Sequence, residues 1–278
     1  MKGAARLSIQ YSLIIFTLFQ RLSLGTYLIS ITGIYLLNLS LELSAISAFS
    51  LITLVFGLLV SMFHLGHPER FLFSFSNYRS HLTHEAFLAP IVIVLLFINS
   101  LNKTLISLAP FWSVFLQTLT TIAALMFLYS TAKIYHLKSR PAWDTPLVTL
   151  IFLASSVLIG ILSVNAWLVV IGHNGKLLLN IGIIGFLMLI LLQIFFLKRL
   201  DKLKHILLEQ MGSSSYRRNF ISWVIFGTVI PEMLITFSLF IKITLISALL
   251  VLVSFSVSIV YWMSLSFIVG VTMPFFKP

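Results

Sequence analysis

The sequence predicts an all-α polytopic bundle of about eight transmembrane helices, forming a single integral membrane domain over residues 1–278, and three observations predict it. Only 9% of the residues are charged, against roughly a quarter in soluble domains. Apolar residues make up 59% of the chain and its mean hydropathy is +1.09. Eight apolar runs approach or exceed the about 20 residues that a helix needs to cross a bilayer. So few charges cannot cover a water-soluble surface at this length. The chain has no cysteine, which excludes a cysteine-held iron–sulfur cluster, a disulfide or a thiolate-ligated haem of its own. No metal or prosthetic group is expected in this chain, and any redox centre belongs to a partner.

The runs follow one another at residues 11–37, 44–63, 85–101, 111–134, 146–170, 177–197, 220–241 and 246–272. Gln20 and Arg21 interrupt the first, so its opening part also reads as a short interfacial helix. The third is the shortest. Residues 1–6 are basic, but no short apolar core with a small-residue cleavage site follows them, so the N-terminus is expected to stay attached. No solenoid period, low-complexity tract or polar segment long enough for a separate soluble domain is visible.

Charge sorts the connections. Fourteen of the 18 basic residues, from Lys2, Arg6, Arg70 and Arg79 through Lys133, Lys138 and Arg140 to Lys277, fall on the side of the N-terminus. Lys103, Lys176 and Lys242 fall on the other, and Arg21 lies inside the first run. The positive-inside rule then places both termini in the cytoplasm. Lys198, Arg199, Lys202 and Lys204 alternate with Leu200, Leu203, Ile206 and Leu207 at near-helical spacing. This reads as a basic extension of the sixth helix, with a partner or anionic-lipid surface as the other reading.

Ionisable residues in a membrane chain are costly and mark functional positions, and here they cluster. Between the second and third runs stand His64-Leu65-Gly66-His67-Pro68-Glu69-Arg70, then Asn77 and Arg79, then His81-Leu82-Thr83-His84-Glu85. Oxidising a membrane quinol requires a hydrogen-bond acceptor for each ring hydroxyl. A neutral histidine and a carboxylate at a membrane face supply that pair. His64, ending the second run, and Glu85, opening the third, fit the requirement, and Gln20 adds an amide from the first. Arg70 is placed to pair with Glu69 or Glu85. His64 with His67, or His81 with His84, also has the i, i+3 spacing of metal ligands, but Gly66 and Pro68 break any helix carrying the first pair. Bis-histidine haem is disfavoured because every histidine falls at a run end or in a connection. Interfacial headgroup contacts suffice for His67, His81, His84 and Arg79. Glu232, beside Pro231 in the seventh run, reads either as part of a proton path or as an internally paired group. Trp112, Trp143, Trp167 and Tyr135, near run ends, read as aromatic belts.

The stretch Ser61-Met62-Phe63-His64-Leu65-Gly66-His67-Pro68-Glu69-Arg70, with Asn77 and Leu82-Thr83-His84-Glu85 after it, resembles the anchor subunit of the anaerobic dimethyl sulfoxide reductase. That family's pattern is His-Leu-Gly-x-Pro-x-Arg with a downstream Asn and a Leu-Ser-x-Glu. Ile14 through Gln20 with Gly25 is similar to its first span, and Tyr135, Pro141-Ala142-Trp143 and Pro146 are similar to its connection between the fourth and fifth spans. The second half of the chain matches by helix count. Where the family tends to carry Gly-Glu-Leu-x-Gly-Arg, this chain has Ser254-Phe255-Ser256-Val257-Ser258, without charge.

The resemblance implies a haem-free anchor in the bacterial inner membrane. It implies oxidation of menaquinol as substrate and transfer of electrons, through an iron–sulfur subunit, to a molybdopterin catalytic subunit in anaerobic respiration. It implies His64 and Glu85 as the quinol-linked pair, with Gln20, Arg70 and Asn77 in supporting positions. The chain alone would be a quinol-oxidising subunit rather than a complete enzyme, and nucleic acid is not an expected partner. Two other classes compete: a secondary transporter, which would place paired polar sites near the midplane of two repeats, and a membrane assembly protein with no redox role.

Overall fold

The computed structural model describes residues 10–62, 80–103, 105–240 and 244–270. Its helices are α1 (Tyr11–Leu37), α2 (Leu43–Met62), α3 (His81–Leu101), α4 (Pro110–Ile134), α5 (Pro146–Val170), α6 (Lys176–Lys202), α7 (Lys204–Met211), α8 (Ser214–Ser222), α9 (Ile230–Phe240) and α10 (Leu245–Val269). A π-helical segment, Trp223–Val229, joins α8 to α9. Eight membrane-crossing lengths result, the seventh being the composite Ser214–Ser238.

Local chemistry fixes the ends. Asn38 takes the left-handed conformation that stops α1, where a short polar side chain tolerates positive φ. Thr145 caps α5 ahead of Pro146, whose missing N–H is harmless in a first helical turn. Thr244 and Ser247 form a reciprocal capping box at the start of α10. The Ser80 hydroxyl accepts from the Leu82 N–H and starts α3 at His81. Glu85 therefore sits one turn inside the third helix, not at its opening as the hydropathy pattern suggests.

Two four-helix groups lie side by side. In one, α1 packs on α2, α2 on α3, α3 on α4 and α4 on α1; in the other, α5, α6, α9 and α10 close a similar ring. The seam is α1 against α5, with α10 and α4 flanking it. These two are the most interior spans, with 61% and 67% of their central windows buried, against 22–39% for the other six. The first run is thus one continuous 27-residue helix, and Gln20 and Arg21 lie inside the protein rather than at a lipid surface.

Small residues bring the backbones together, because lipid supplies no hydrophobic drive between helices and close van der Waals contact must do so. A Cβ at Gly25 would collide with the Ser156 carbonyl of α5, and one at Gly160 with the Gly25 carbonyl of α1. Between α1 and α2 the pairing is polar: the Ser23 hydroxyl donates to the Ser50 carbonyl (2.6 Å) and the Ser50 hydroxyl to the Ser23 carbonyl (3.0 Å).

The seventh span widens to π geometry where Ser258 of α10 donates to the Gly227 carbonyl at 2.6 Å, an intrusion of the kind that marks helix irregularities. Ser258→Ala removes that donor and is expected to cost about 1–2 kcal/mol. A fall of a few degrees in the thermal melt of the detergent-solubilised protein checks it, and an unchanged melt would show the bond to be idle.

The basic stretch lies at the end of α6 and the start of α7: Leu200 and Leu207 are buried in the main core, and Leu203 sits at the turn between α6 and α7. Two aromatic assignments are corrected. Trp143 and Tyr135 are 2% and 5% exposed, because the 135–145 connection folds inward, with the indole N–H donating to the Ser266 carbonyl at 3.0 Å. Arg140 covers the Trp143 ring at 4.4 Å, and burial lowers its guanidinium below the ordinary value. Trp112 is exposed, as a belt residue is expected to be.

Candidate functional site

Three helices deliver polar groups to one point. Gln20 is on α1, Glu85 on the first turns of α3, and Thr131 near the end of α4. The Gln20 amide Nε2 donates to the Thr131 hydroxyl at 2.7 Å, and that hydroxyl donates to Glu85 Oε1 at 2.7 Å. A weaker 3.2 Å contact to the Phe127 carbonyl shares the same hydroxyl proton. Gln20 and Thr131 are 0% and 1% exposed, and Glu85 is partly buried. The arrangement is held from outside as well: Ser130, adjoining Thr131, donates to the His81 carbonyl at 2.8 Å and ties the start of α3 to the end of α4.

The chain of bonds leaves specific valences open. Among the described residues Gln20 Oε1 is buried without a hydrogen-bond partner, an acceptor able to take an O–H or N–H donor. Thr131 has spent its proton on Glu85, and among the described residues it is Glu85's only hydrogen-bonding side chain. A buried amide and a carboxylate are thus linked through one hydroxyl.

Tyr135 stands one turn beyond Thr131. Burial raises its phenol above the ordinary tyrosine value, the Glu85 charge adds to that, and Arg21 opposes it. The phenol thus stays protonated as a donor, within electrostatic reach of both groups. His81 and His84 stand edge to face with ring centres 5.6 Å apart on the same turn of α3 as Glu85.

Of the sequence-derived residues, Gln20 and Glu85 are brought together through Thr131. His64, Arg70 and Asn77 lie outside the described residues, as do His67, Glu69 and Arg79. The proposed pairing of Arg70 with Glu85 falls there too. Thr131 was missed: in an apolar helix a threonine usually bonds its own i−4 carbonyl, and nothing in its spacing distinguishes it from Thr118, Thr120 or Thr121, which do. Among the described residues Glu232 Oε2 is buried with no hydrogen-bond partner.

A wider cleft of about 560 Å³ opens at the other end of α1–α4. Tyr35 donates to Gln117 there at 2.6 Å, and Asn102 to Ser113 at 2.9 Å. Among the described residues no acid or histidine lines it.

Fold and site together define a class: an all-helical integral membrane protein with a buried amide–hydroxyl–carboxylate chain near one end of its first four spans. The chain belongs to the DMSO reductase anchor subunit (DmsC) family, whose model matches residues 7–273. No curated protein matches it at a significant level. Membership makes it the membrane anchor of a DMSO reductase-like complex, partnered with that reductase's catalytic subunits, and removes the ground for the transporter and assembly-protein alternatives.

Proposed function

We propose that this subunit binds menaquinol at the Gln20–Thr131–Glu85 chain and oxidises it for its partners. The observation that carries the reading is the acceptor set: buried Gln20 Oε1, without a donor among the described residues, and a Glu85 carboxylate that accepts from Thr131. A quinol brings two O–H donors and a flat apolar ring, so one hydroxyl proton is shared between Gln20 Oε1 and the Glu85 carboxylate, and Glu85 takes it up as the electrons leave. His64 is the expected acceptor for the second hydroxyl, with Arg70 and Asn77 supporting the loop. The quinol becomes quinone with loss of two protons and two electrons. The electrons leave to an iron–sulfur subunit and from there to a molybdopterin subunit. The charge bias of the connections favours cytoplasmic termini, in a bacterial inner membrane.

Fluorescence quenching of a hydroxyquinoline quinol analogue, titrated into membranes holding the assembled complex, tests this. Wild type is expected to bind saturably. Thr131→Val keeps the shape but removes the bridge, leaving the Gln20 amide N–H and Glu85 Oε1 unpartnered, and binding is expected to weaken about tenfold. Gln20→Leu is expected to do the same. Saturable binding that neither substitution changes would place the quinol elsewhere.

A further inference from the structure

Arg21 carries a charge that no group in the proposed quinol chain neutralises. It lies ten residues along α1 from Tyr11, about 15 Å at helical rise, and is 2% exposed. Its guanidinium lies flat on the Phe152 ring, 3.9 Å from the centroid, and Nη2 donates to the Met263 sulfur at 3.3 Å. Its Nε is buried with no hydrogen-bond partner among the described residues. Among the described residues no carboxylate comes within ion-pairing distance, and Glu85, beyond Tyr135, is engaged with Thr131. A thioether is a weak acceptor, so a permanently protonated side chain is left inside the bundle with one poor bond. Burial of a charge in this state is expensive, and charges at such depth are normally paired.

Beside it is a small cavity of about 20 Å³, enough for one water-sized body. Arg21, Tyr135 and Ser266 are its polar lining residues, and Phe152, Trp262 and Met263 supply apolar walls. The Ser266 carbonyl, the nearest backbone acceptor of that residue, already accepts the Trp143 indole N–H. The Arg21 charge borders this space with no carboxylate among the described residues to compensate it. Water would satisfy a hydrogen bond but leave the charge uncompensated. A compact spherical ion suits so small a space.

We propose that this cavity is a structural site for a small monovalent anion, chloride under ordinary conditions, which compensates Arg21 and holds α1 against α5 and α10. The site is separate from the quinol chain: Gln20 faces α4, and Arg21 faces α5 and α10.

The test is thermal unfolding of the assembled complex in lipid nanodiscs, with chloride replacing gluconate at constant ionic strength. Ligand linkage predicts a rise in the melting temperature of about 3 °C or more with added chloride, reproduced by bromide. Arg21→Met is expected to abolish the rise. Tyr135→Phe, which removes one donor and keeps the ring, is expected to raise the half-saturating chloride concentration about tenfold. It carries the test if Arg21→Met fails to accumulate. A wild-type melt indifferent to the anion would overturn the proposal, as would a chloride response left unchanged by Tyr135→Phe. An anomalous bromide peak beside Arg21 in a crystal of the complex would support it directly, and a peak only at the surface would count against it.

Discussion

Glu85→Gln is expected to lower quinol-dependent reduction by the assembled complex about 10²- to 10³-fold, the usual contribution of a positioned proton acceptor. The substitution is nearly isosteric, and the amide oxygen still accepts from Thr131, so α3 and α4 keep their tie through the 2.7 Å bond and through Ser130 to His81. What is lost is the ability to take a proton at that atom. Reduction driven by a water-soluble dye that feeds the partner subunits directly is expected to stay at wild-type level, because that route bypasses the membrane chain. The pairing of the two assays separates the acceptor role from a packing role: a structural defect would lower both. Quinol-driven turnover within about twofold of wild type would remove Glu85 from the chemistry. Glu85→Asp keeps the acid but withdraws it by one methylene, so a partial recovery is expected there.

The two residues of this site that were legible in the sequence, Gln20 and Glu85, were so because polar side chains stand out against apolar runs and are costly there. Thr131 was not, since its functional partner is 46 residues away in sequence and its local alternative, the i−4 carbonyl, is what any helical threonine shows. Arg21 was visible as an interruption of the first run. That no carboxylate among the described residues pairs with it is a property of the packed α1–α5–α10 seam and could not be read from spacing. Hydropathy located all eight spans, but it cannot see a Ser80 cap extending α3 back to His81, nor a π-helical segment produced by Ser258 reaching across from another helix. Tyr135 and Trp143 misled for the same reason: a position near a span end reads as an aromatic belt, whereas the tertiary fold turns that connection into the core.

The seam between the two four-helix groups yields the largest effect expected on stability. In Gly25→Ala the new methyl would meet the Ser156 carbonyl, and in Gly160→Ala the Gly25 carbonyl, both well inside contact distance. These obstacles are backbone atoms of helices gripped on both sides, so no rotamer change relieves them, and α1 and α5 must move apart. Overpacking of a close-packed interior costs about 1–3 kcal/mol even where side chains can yield, and the upper end is expected here. Parting the seam would also disturb Gln20 and Arg21, which depend on the position of α1. The same atom added elsewhere supplies the control. A Cβ at Gly182 would meet only the Ile161 and Leu162 side chains at 3.7 Å, and one at Gly185 only Leu158 at 3.6 Å, ordinary van der Waals contacts on the α5–α6 side. Gly182→Ala and Gly185→Ala are therefore expected to accumulate in membranes and melt within a degree or two of wild type. Gly25→Ala and Gly160→Ala are expected to accumulate poorly and to lose hydroxyquinoline binding. If all four variants behave alike, close approach of α1 and α5 is not what holds the two groups together, and the placement of Gln20 against Thr131 would need another cause.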